Sequence, residues 1–166
     1  MAQPDRGAET AILYSGEEAS FREQASQLTT LAGKSTYLGD EVGLSAALFG
    51  AVLSYLAGRW IGLCHGALIC EAEGLDVASF GELLASLAPV LGDDARHMGH
   101  VIATDSYSTP ESTLKTAGED IERLVQHGDE AGISTELPRF AAALFRRAID
   151  AGYGAEEHAA VIKVLR

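Results

Sequence analysis

The hydrophobic positions of this chain follow a helical period over most of its length. After residue 14, apolar residues recur every three or four positions, which is typical of amphipathic α-helices and not of strands. The exception is a short apolar run at residues 10–14, which is strand-like. We therefore predict an all-α fold of about seven helices around one long central helix. An extended strand segment at residues 1–14 would precede a helical domain at 15–166.

A single strand cannot form a sheet by itself. The run at 10–14 would therefore pair with something outside this chain, pack as an extended tail, or pair with a second copy of the chain. The polar residues 34–40 read as a connection between helices.

Capping and breaking residues set the expected helix boundaries. Ser15 and Glu18 form a capping-box pattern, which predicts a first helix from Ser15 to Gly33. Thr109 and Pro110 suit the N-cap and first position of a later helix. We also predict a long helix at 41–73, a helix at 76–91 with Asp76 as its N-cap, and a helix at 93–104. The helix that starts at Thr109 should end near Gly128 and Gly132. The next helix should begin at Ser134 and Pro138 and end at Gly152, and a last helix should span 155–165.

The long helix is the most unusual segment, because residues 42–58 carry no charge. A run of this length is either a membrane span or a helix buried on all sides by protein. Arg59 and His65 interrupt it, and no basic loop flanks it to fix an orientation. We therefore interpret it as a helix buried by its neighbours and by a second subunit.

Small side chains recur at every fourth position of this helix, which permits a close approach of another helix or of a ligand to its backbone. They are Ala46, Gly50, Ser54, Gly58, Gly62, Gly66 and Cys70. Arg59 would reach water, pair with an acid or face a polar pocket, because an unpaired buried guanidinium is costly. Trp60 is either a core residue or a binding platform.

The charge balance excludes some partners. With 24 acidic against 12 basic residues the net charge is -12, which disfavours nucleic acid and anionic membrane surfaces. Cys64 and Cys70 have neither zinc-site nor redox-pair spacing, so we expect reduced core thiols in a cytoplasmic protein. The first ten residues are polar and do not read as a secretory signal.

Three stretches together resemble the C-terminal half of imine reductases and reductive aminases, within the 6-phosphogluconate and β-hydroxyacid dehydrogenase group. They are the run 12–16, the helix end from Cys64 to Gly74, and the tail 132–166; Glu111 to Leu114 also falls at a similar segment. The resemblance covers essentially the whole chain. It implies a helical, substrate-side domain that intertwines with its partner in a dimer.

In that family an N-terminal Rossmann domain binds NADPH. This chain has no Gly-x-Gly-x-x-Gly after a strand, and Gly152-Tyr153-Gly154 lacks the third glycine. We therefore expect no cofactor site in this chain. NADPH would be bound only if a separate Rossmann-domain protein or segment supplied the site.

The resemblance places the family's proton donor at Phe49 and a frequent tyrosine at Ala57. Neither side chain can donate a proton, so the implied pocket is more apolar. Tyr55 and Arg59 remain as catalytic candidates by position, with a structural role as the alternative for each. The candidate substrate-binding positions are Phe49, Leu53, Ala57, Trp60, Val90 and Thr116.

Other chemistry has little support in the sequence. His97 and His100, with Asp93 and Asp94 a turn earlier, could share a helix face as metal ligands, but a solvated polar face explains them better. No metal site is expected. The sequence contains no Gly-x-Ser-x-Gly, His-Glu-x-x-His or P-loop motif.

Three functions follow as hypotheses. The chain is the substrate and dimerisation domain of an NADP-dependent imine reductase-like enzyme, or a freestanding, cofactor-free dimer that binds or cyclises an apolar small molecule in a biosynthetic pathway. The third possibility is a structural subunit of a split reductase, which would associate with a separate Rossmann-domain protein.

Overall fold

The computed structural model describes residues 11–31 and 34–166, and the predicted end of the first helix at Gly33 lies outside them. The chain divides into two compact units, one up to Arg59 and the other formed by Trp60–Arg166. Across the described residues there are six α-helices and a final 3₁₀ helix, besides a two-stranded sheet. The predicted all-α class and number of helices are therefore confirmed.

The first unit begins with a strand–helix–strand arrangement. Strand β1 (Ala11–Tyr14) pairs in parallel with β2 (Lys34–Tyr37), and α1 (Glu18–Leu31) crosses between them. The expectation that the strand finds no partner within the chain was wrong, and so was the interpretation of 34–40 as only a connection. The four residues of β2 are largely polar, so they give no alternating hydrophobic signal.

Each of the two turns in this unit supplies a side chain that caps the helix starting at the other turn. The Glu18 N–H at the start of α1 donates to the Asp40 carboxylate at 3.3 Å. Ser15, predicted to cap α1, instead accepts a hydrogen bond from the Ser45 N–H at 3.1 Å and donates to the Val42 carbonyl at 2.8 Å. The capping box thus predicted the helix but not the partner, because Ser15 caps the next helix.

That next helix is α2 (Leu44–Ala72), close to the predicted range of 41–73. Its only buried residues are His65 and Cys70, although the whole helix is strongly apolar. In a single chain, α2 therefore leaves most of its apolar surface exposed.

Two shorter helices follow in the second unit, and their boundary differs from the prediction. Asp76 caps α3 (Val77–Ser86) as expected, accepting the Ser79 N–H at 2.7 Å. Helix α4 (Ala88–Thr104) starts after Leu87, so the predicted break near Gly92 was wrong. Pro89 stands in the first turn of α4 and explains the boundary, because proline is tolerated there and not inside a helix.

Helix α5 (Leu114–Ala131) begins later than expected. Its N-cap is Thr113, and the predicted start at Thr109-Pro110 falls in an irregular segment before it. The expected end at Gly132 is confirmed by a left-handed φ of 68°, a conformation that glycine adopts without strain. Gly128 lies inside the helix and is buried, so it does not end it.

The chain closes with α6 (Glu136–Ala148), a π-helical turn (Ile149–Tyr153) and a 3₁₀ helix (His158–Val164). The N-cap residue of α6 is Thr135 instead of Ser134, and the last helix is 3₁₀ and starts three residues later than predicted. The core of this unit is formed by Val101, Tyr107, Leu114, Ala148, Ala159 and Ala160.

Candidate functional site

Three of the candidate substrate-binding residues follow one another along α2. Phe49, Leu53 and Ala57 recur every fourth residue and are all exposed; Phe49 is 58% and Leu53 40% accessible. None of these side chains can exchange a proton. This part of the helix therefore offers apolar contact but no acid or base.

The other three candidates lie in the second unit. Trp60 is 56% and Val90, on α4, is 63% exposed. Thr116 is exposed in the first turn of α5, where its N–H donates to Thr113 Oγ1 at 3.1 Å and the two hydroxyls lie 2.8 Å apart. Thr116 thus takes part in the helix cap, and a substrate-binding role for these six positions stays a prediction.

The two catalytic candidates are open to solvent in the single chain. Tyr55 is 61% exposed, and Arg59 is exposed as well. Of the alternatives for Arg59, the structure therefore favours a guanidinium that reaches water. A catalytic role for either side chain stays a prediction.

The C-terminal half of α2 is fixed by two contacts within the second unit. His65 is buried, and its Nε2 lies 3.0 Å from the Ser134 carbonyl, which requires the proton on that nitrogen. A Cβ added at Gly66 would lie 2.7 Å from the Phe80 ring. Gly66 thus permits close packing of α3 on the α2 backbone, as expected for a step of the small-residue ladder.

Other steps of that ladder are open. A Cβ added at Gly50, Gly58 or Gly62 would meet none of the described residues within 4 Å. Glycine costs helix stability, about 0.5–1 kcal/mol each, without a compensating contact inside a single chain at these positions. A close approach of another helix or of a ligand at these positions stays a prediction.

The buried charge centre of the second unit is Glu157, which the sequence interpretation missed. The Glu157 side chain is fully buried. Its Oε2 accepts a hydrogen bond from the Glu111 N–H at 2.7 Å and lies 3.5 Å from His97 Nε2. Its Oε1 lies 2.6 Å from His158 Nδ1. Burial alone would raise the pKa of Glu157. The Glu111 N–H, His97 and His158 outweigh burial and hold that pKa below its ordinary value.

This centre has a structural position. The Glu157 N–H donates to the Tyr107 carbonyl at 2.9 Å, and the Leu114 N–H donates to the Glu156 carbonyl at 2.8 Å. Glu157 therefore ties the irregular segment before α5 to the C-terminal residues. The available signal in the sequence was a pair of acids, Glu156 and Glu157, followed by a histidine and flanked by small residues in the stretch 154–160.

Two further sequence interpretations need correction. Cys70 is buried as expected, but Cys64 is exposed, so only one of the two free thiols is a core residue. Asp93, Asp94 and His100 are exposed, as expected for a solvated polar face, whereas His97 is half-buried with its Nε2 3.5 Å from the buried Glu157 carboxylate. Among the described residues, no group of three or more His, Cys, Asp or Glu side chains is placed to hold a metal ion.

NADPH, which the resemblance implies, does not fit the strand–turn–helix of the first unit. A nucleotide phosphate would need free N–H groups at the start of α1. There the Glu18 N–H already donates to Asp40, and Glu17 and Glu18 add negative charge. The Tyr37 hydroxyl donates a hydrogen bond to the same Asp40 carboxylate at 2.5 Å. Burial, followed by this hydrogen bond and the negative charge of Asp40, raises the pKa of Tyr37 to about 12.

By length and composition, one helix of the described part of the chain, α2, could cross a membrane, with a mean hydropathy of 1.4 in its most apolar window. Core helices of soluble proteins meet the same criterion, so this finding is weak evidence for a span.

Comparison with solved structures agrees with this fold over the whole chain. An imine reductase from Myxococcus stipitatus in complex with NADP+ superimposes with a TM-score of 0.88 at 25% identity; the match covers 100% of this chain and 59% of that one. A reductive aminase from Aspergillus terreus, in complex with NADPH and ethyl levulinate, gives 0.83 at 26% identity, with 100% and 59% covered.

Sequence comparison points the same way. An NADPH-dependent reductive aminase of Aspergillus oryzae is 28% identical over 93% of this chain and 54% of its own length. An L-threonate dehydrogenase of Escherichia coli is 27% identical over 94% and 51%. The chain thus spans about half the length of these curated relatives.

A family model described as the C-terminal domain of NADPH-dependent reductive aminase-like proteins matches residues 41–166, which include all of α2 and the second unit. The predicted resemblance is thereby confirmed, and this chain belongs to the reductive aminase-like family through its C-terminal domain.

Proposed function

We propose that this chain is the substrate-side and dimerisation domain of an NADPH-dependent imine reductase or reductive aminase, and that polypeptide beyond the described residues binds the nicotinamide. The observation that carries the proposal is the family match over residues 41–166, combined with a first unit whose helix start does not suit a phosphate. The protein works as a soluble homodimer in the cytoplasm, and α2 is buried between protein surfaces instead of in a membrane.

Dimerisation is supported by the surface of α2. Large apolar side chains stay exposed along it, among them Val52, Tyr55 and Ile61. Gly58 and Gly62 leave open space above the backbone. Exposed apolar surface of this extent is typical of a protein interface, and small residues allow two helices to approach closely.

The first test is the mass of the protein in solution by sedimentation equilibrium. We expect twice the 17.4 kDa of one chain, and a shift to the single-chain mass for Leu53→Asp. The matched control is Phe140→Asp, because Phe140 is also exposed, at 66%, but lies on α6. A monomeric wild type, or equal effects of both variants, would overturn the assignment of α2 as the dimer surface.

The second test concerns the cofactor. Calorimetric titration with NADPH should detect no binding to this chain alone, with the A. terreus reductive aminase as positive control. Reduction of an imine should appear only when a nicotinamide-binding part is added. Tight NADPH binding by the chain alone would contradict the proposed division of roles.

One observation favours the cofactor-free alternative. Phe49 stands where the resemblance places a proton donor and presents an exposed apolar ring. In that alternative the dimer holds an apolar small molecule and speeds its cyclisation by holding a reactive conformation. Saturation-transfer NMR with cyclohexanone as probe distinguishes the two: binding that disappears in Phe49→Ala, with no activity in the presence of a nicotinamide-binding part, would support the alternative.

A further inference from the structure

The buried carboxylate of Glu157 has weak bases and no permanent cation as its charged neighbours. Among the described residues, no lysine or arginine forms an ion pair with it; its partners are the imidazoles of His97, on α4, and His158, at the start of the final 3₁₀ helix. A carboxylate that leaves water without a compensating positive charge is costly. Charge balance at this site therefore depends on protonation of an imidazole.

Charged groups on the surrounding elements do not supply the missing charge. Glu111, on the irregular segment before α5, adds a second carboxylate, whose Oε1 lies 3.9 Å from His97 Nδ1. The cations are paired elsewhere: Arg96 with Asp93, Lys115 with Glu119, Arg146 with Glu122, Lys163 with Glu156, and Arg147 with the Val164 carbonyl. Further exposed acids on or beside these elements are Asp94, Asp105 and Asp150. The surroundings of Glu157 are therefore negative unless His97 or His158 is protonated.

The interaction between the carboxylate and the imidazoles acts in both directions. Burial, the largest influence, would raise the pKa of Glu157, but the Glu111 N–H, the His97 hydrogen bond and the His158 charge hold that pKa below its ordinary value. A coupling free energy is reciprocal, so the ionised carboxylate favours protonated imidazoles by the same amount. The three side chains therefore titrate together as one cluster.

Protons can reach this cluster without opening of the fold. The Glu157 side chain is 1% exposed, whereas those of His97 and His158 are 30% and 23% exposed. An isolated imidazole loses its proton near about pH 6.5, and small changes in its surroundings move this transition across the physiological range. The cluster is thus placed to respond to the pH of the solution.

The same cluster holds a segment that has no helix or strand of its own. Residues 105–113 connect α4 to α5 and form only turns, bends and a single bridge to Glu157. Glu157 binds this segment twice, because its N–H donates to the Tyr107 carbonyl at 2.9 Å and its Oε2 accepts the Glu111 N–H at 2.7 Å. A segment of this kind opens before the whole fold when its few contacts weaken.

We propose that His97, Glu157 and His158 form a pH-sensitive clasp, in which the folded protein keeps one proton on the two imidazoles and loosens the segment 105–113 when that proton is lost above about pH 7. The clasp requires no cofactor or substrate, so it stands independently of the proposed function. Its contribution to stability has a definite sign. The contribution is fully present below about pH 6.5, where imidazoles of the unfolded chain are also protonated, and is lost as the pH rises.

Urea unfolding of the full 166-residue chain, measured from about pH 6 to about pH 9 at one protein concentration, is the first test. The unfolding equilibrium constant of the wild type should rise with pH more steeply than that of Glu157→Gln, by up to about tenfold per pH unit, the limit for one proton. His65, His100 and His127 are present in both proteins. Glu119→Gln, which alters an exposed carboxylate on α5, should follow the wild type. Equal slopes for the wild type and Glu157→Gln overturn the clasp.

The two imidazoles are tested together, because either one can hold the proton. The double variant His97→Gln, His158→Gln should lose the additional slope. The matched control is His100→Gln, since His100 is an exposed histidine one turn further along α4 and its removal should leave the slope unchanged. A slope that survives in the double variant would place the proton elsewhere and overturn the proposal.

A measurement on the wild type covers the case in which a variant does not fold. Long-range ¹H–¹⁵N NMR spectra distinguish a protonated imidazole ring from a neutral one. At about pH 7.5 the ring of His97 or of His158 should be protonated, and the ring of His100 should be neutral. Neutral rings at both His97 and His158 contradict the clasp.

Hydrogen exchange tests whether the segment responds to loss of the proton. The Glu111 amide donates to Glu157, and the amide of Val125, buried in the interior of α5, is the reference. After correction for intrinsic exchange, the opening equilibrium at Glu111 should increase at least about threefold more than that at Val125 between about pH 6.5 and about pH 8.5. Equal changes at the two amides would show that the proton does not hold the segment, which overturns the proposal.

Discussion

Two regions of this chain bury their apolar side chains to different extents. In the second unit, Leu114, Ala148 and Ala160 are fully buried within a single chain. Along the part of α2 that belongs to the first unit, Phe49 and Tyr55 each stay more than half exposed. The second unit therefore contains a closed core, whereas this part of α2 leaves large apolar side chains exposed in a single chain. Apolar composition alone does not distinguish a core from an interface.

The largest effect expected from this difference is in the core. Leu114→Ala should lower the free energy of unfolding by about 2–5 kcal/mol, because it opens a cavity in a fully buried site. Urea unfolding followed by circular dichroism measures it. Leu165→Ala is the control, since Leu165 is 59% exposed, and it should cost less than about 0.5 kcal/mol. Equal losses would mean that the core lies elsewhere.

A smaller effect is expected at the buried carboxylate. Glu157→Gln should cost roughly 1–3 kcal/mol at neutral pH, because it weakens the bonds that Glu111, His97 and His158 make with a charged group. Exposed Glu119→Gln should change little. Urea unfolding measures the free energy of unfolding of both variants. Equal values would show that Glu157 stabilises the second unit no more than an exposed carboxylate does.

The pH dependence of stability tests the same group with a definite sign. The folded state lowers the pKa of Glu157, so its contribution is present above the ordinary carboxyl pKa and is lost as pH falls through the lowered value. Wild-type stability should therefore decline below about pH 4.5, and the decline should be shallower in Glu157→Gln. Urea unfolding curves measured from pH 7 to pH 3 test this prediction. If the free energy of unfolding declines in parallel in the wild type and in Glu157→Gln, the prediction is contradicted.

The last comparison is between two glycines of α2, and the smallest effect is expected at Gly62. Gly66→Ala places a Cβ 2.7 Å from the Phe80 ring and should destabilise the fold by about 1–3 kcal/mol. In Gly62→Ala the new Cβ meets none of the described residues within 4 Å, so the substitution should stabilise the monomeric helix by up to about 1 kcal/mol. If α2 packs closely on a partner, Gly62→Ala also weakens the dimer in sedimentation experiments. Equal changes in the free energy of unfolding for Gly66→Ala and Gly62→Ala would contradict the distinction between a packed and an open part of α2.

The sequence predicted the helices from local signals. Three of these predictions are confirmed: the cap at Asp76, the helix end at Gly132 and the approximate range of α2. Each depends only on residues that are close together in the sequence. Predictions failed where the partner is distant in sequence. Ser15 bonds to Val42 and Ser45, and β1 pairs with Lys34–Tyr37, so neither partner could be found from local pattern.

The amino-acid sequence by itself determined the helical class, the long apolar helix and the family to which the domain belongs, because periodicity, capping and motif order are local properties. Only the tertiary structure decided which apolar residues form a closed core and that Glu157 is the buried charge. It also paired β1 with the largely polar strand Lys34–Tyr37. Burial and strand pairing join residues far apart in the chain, and their energies depend on that spatial arrangement.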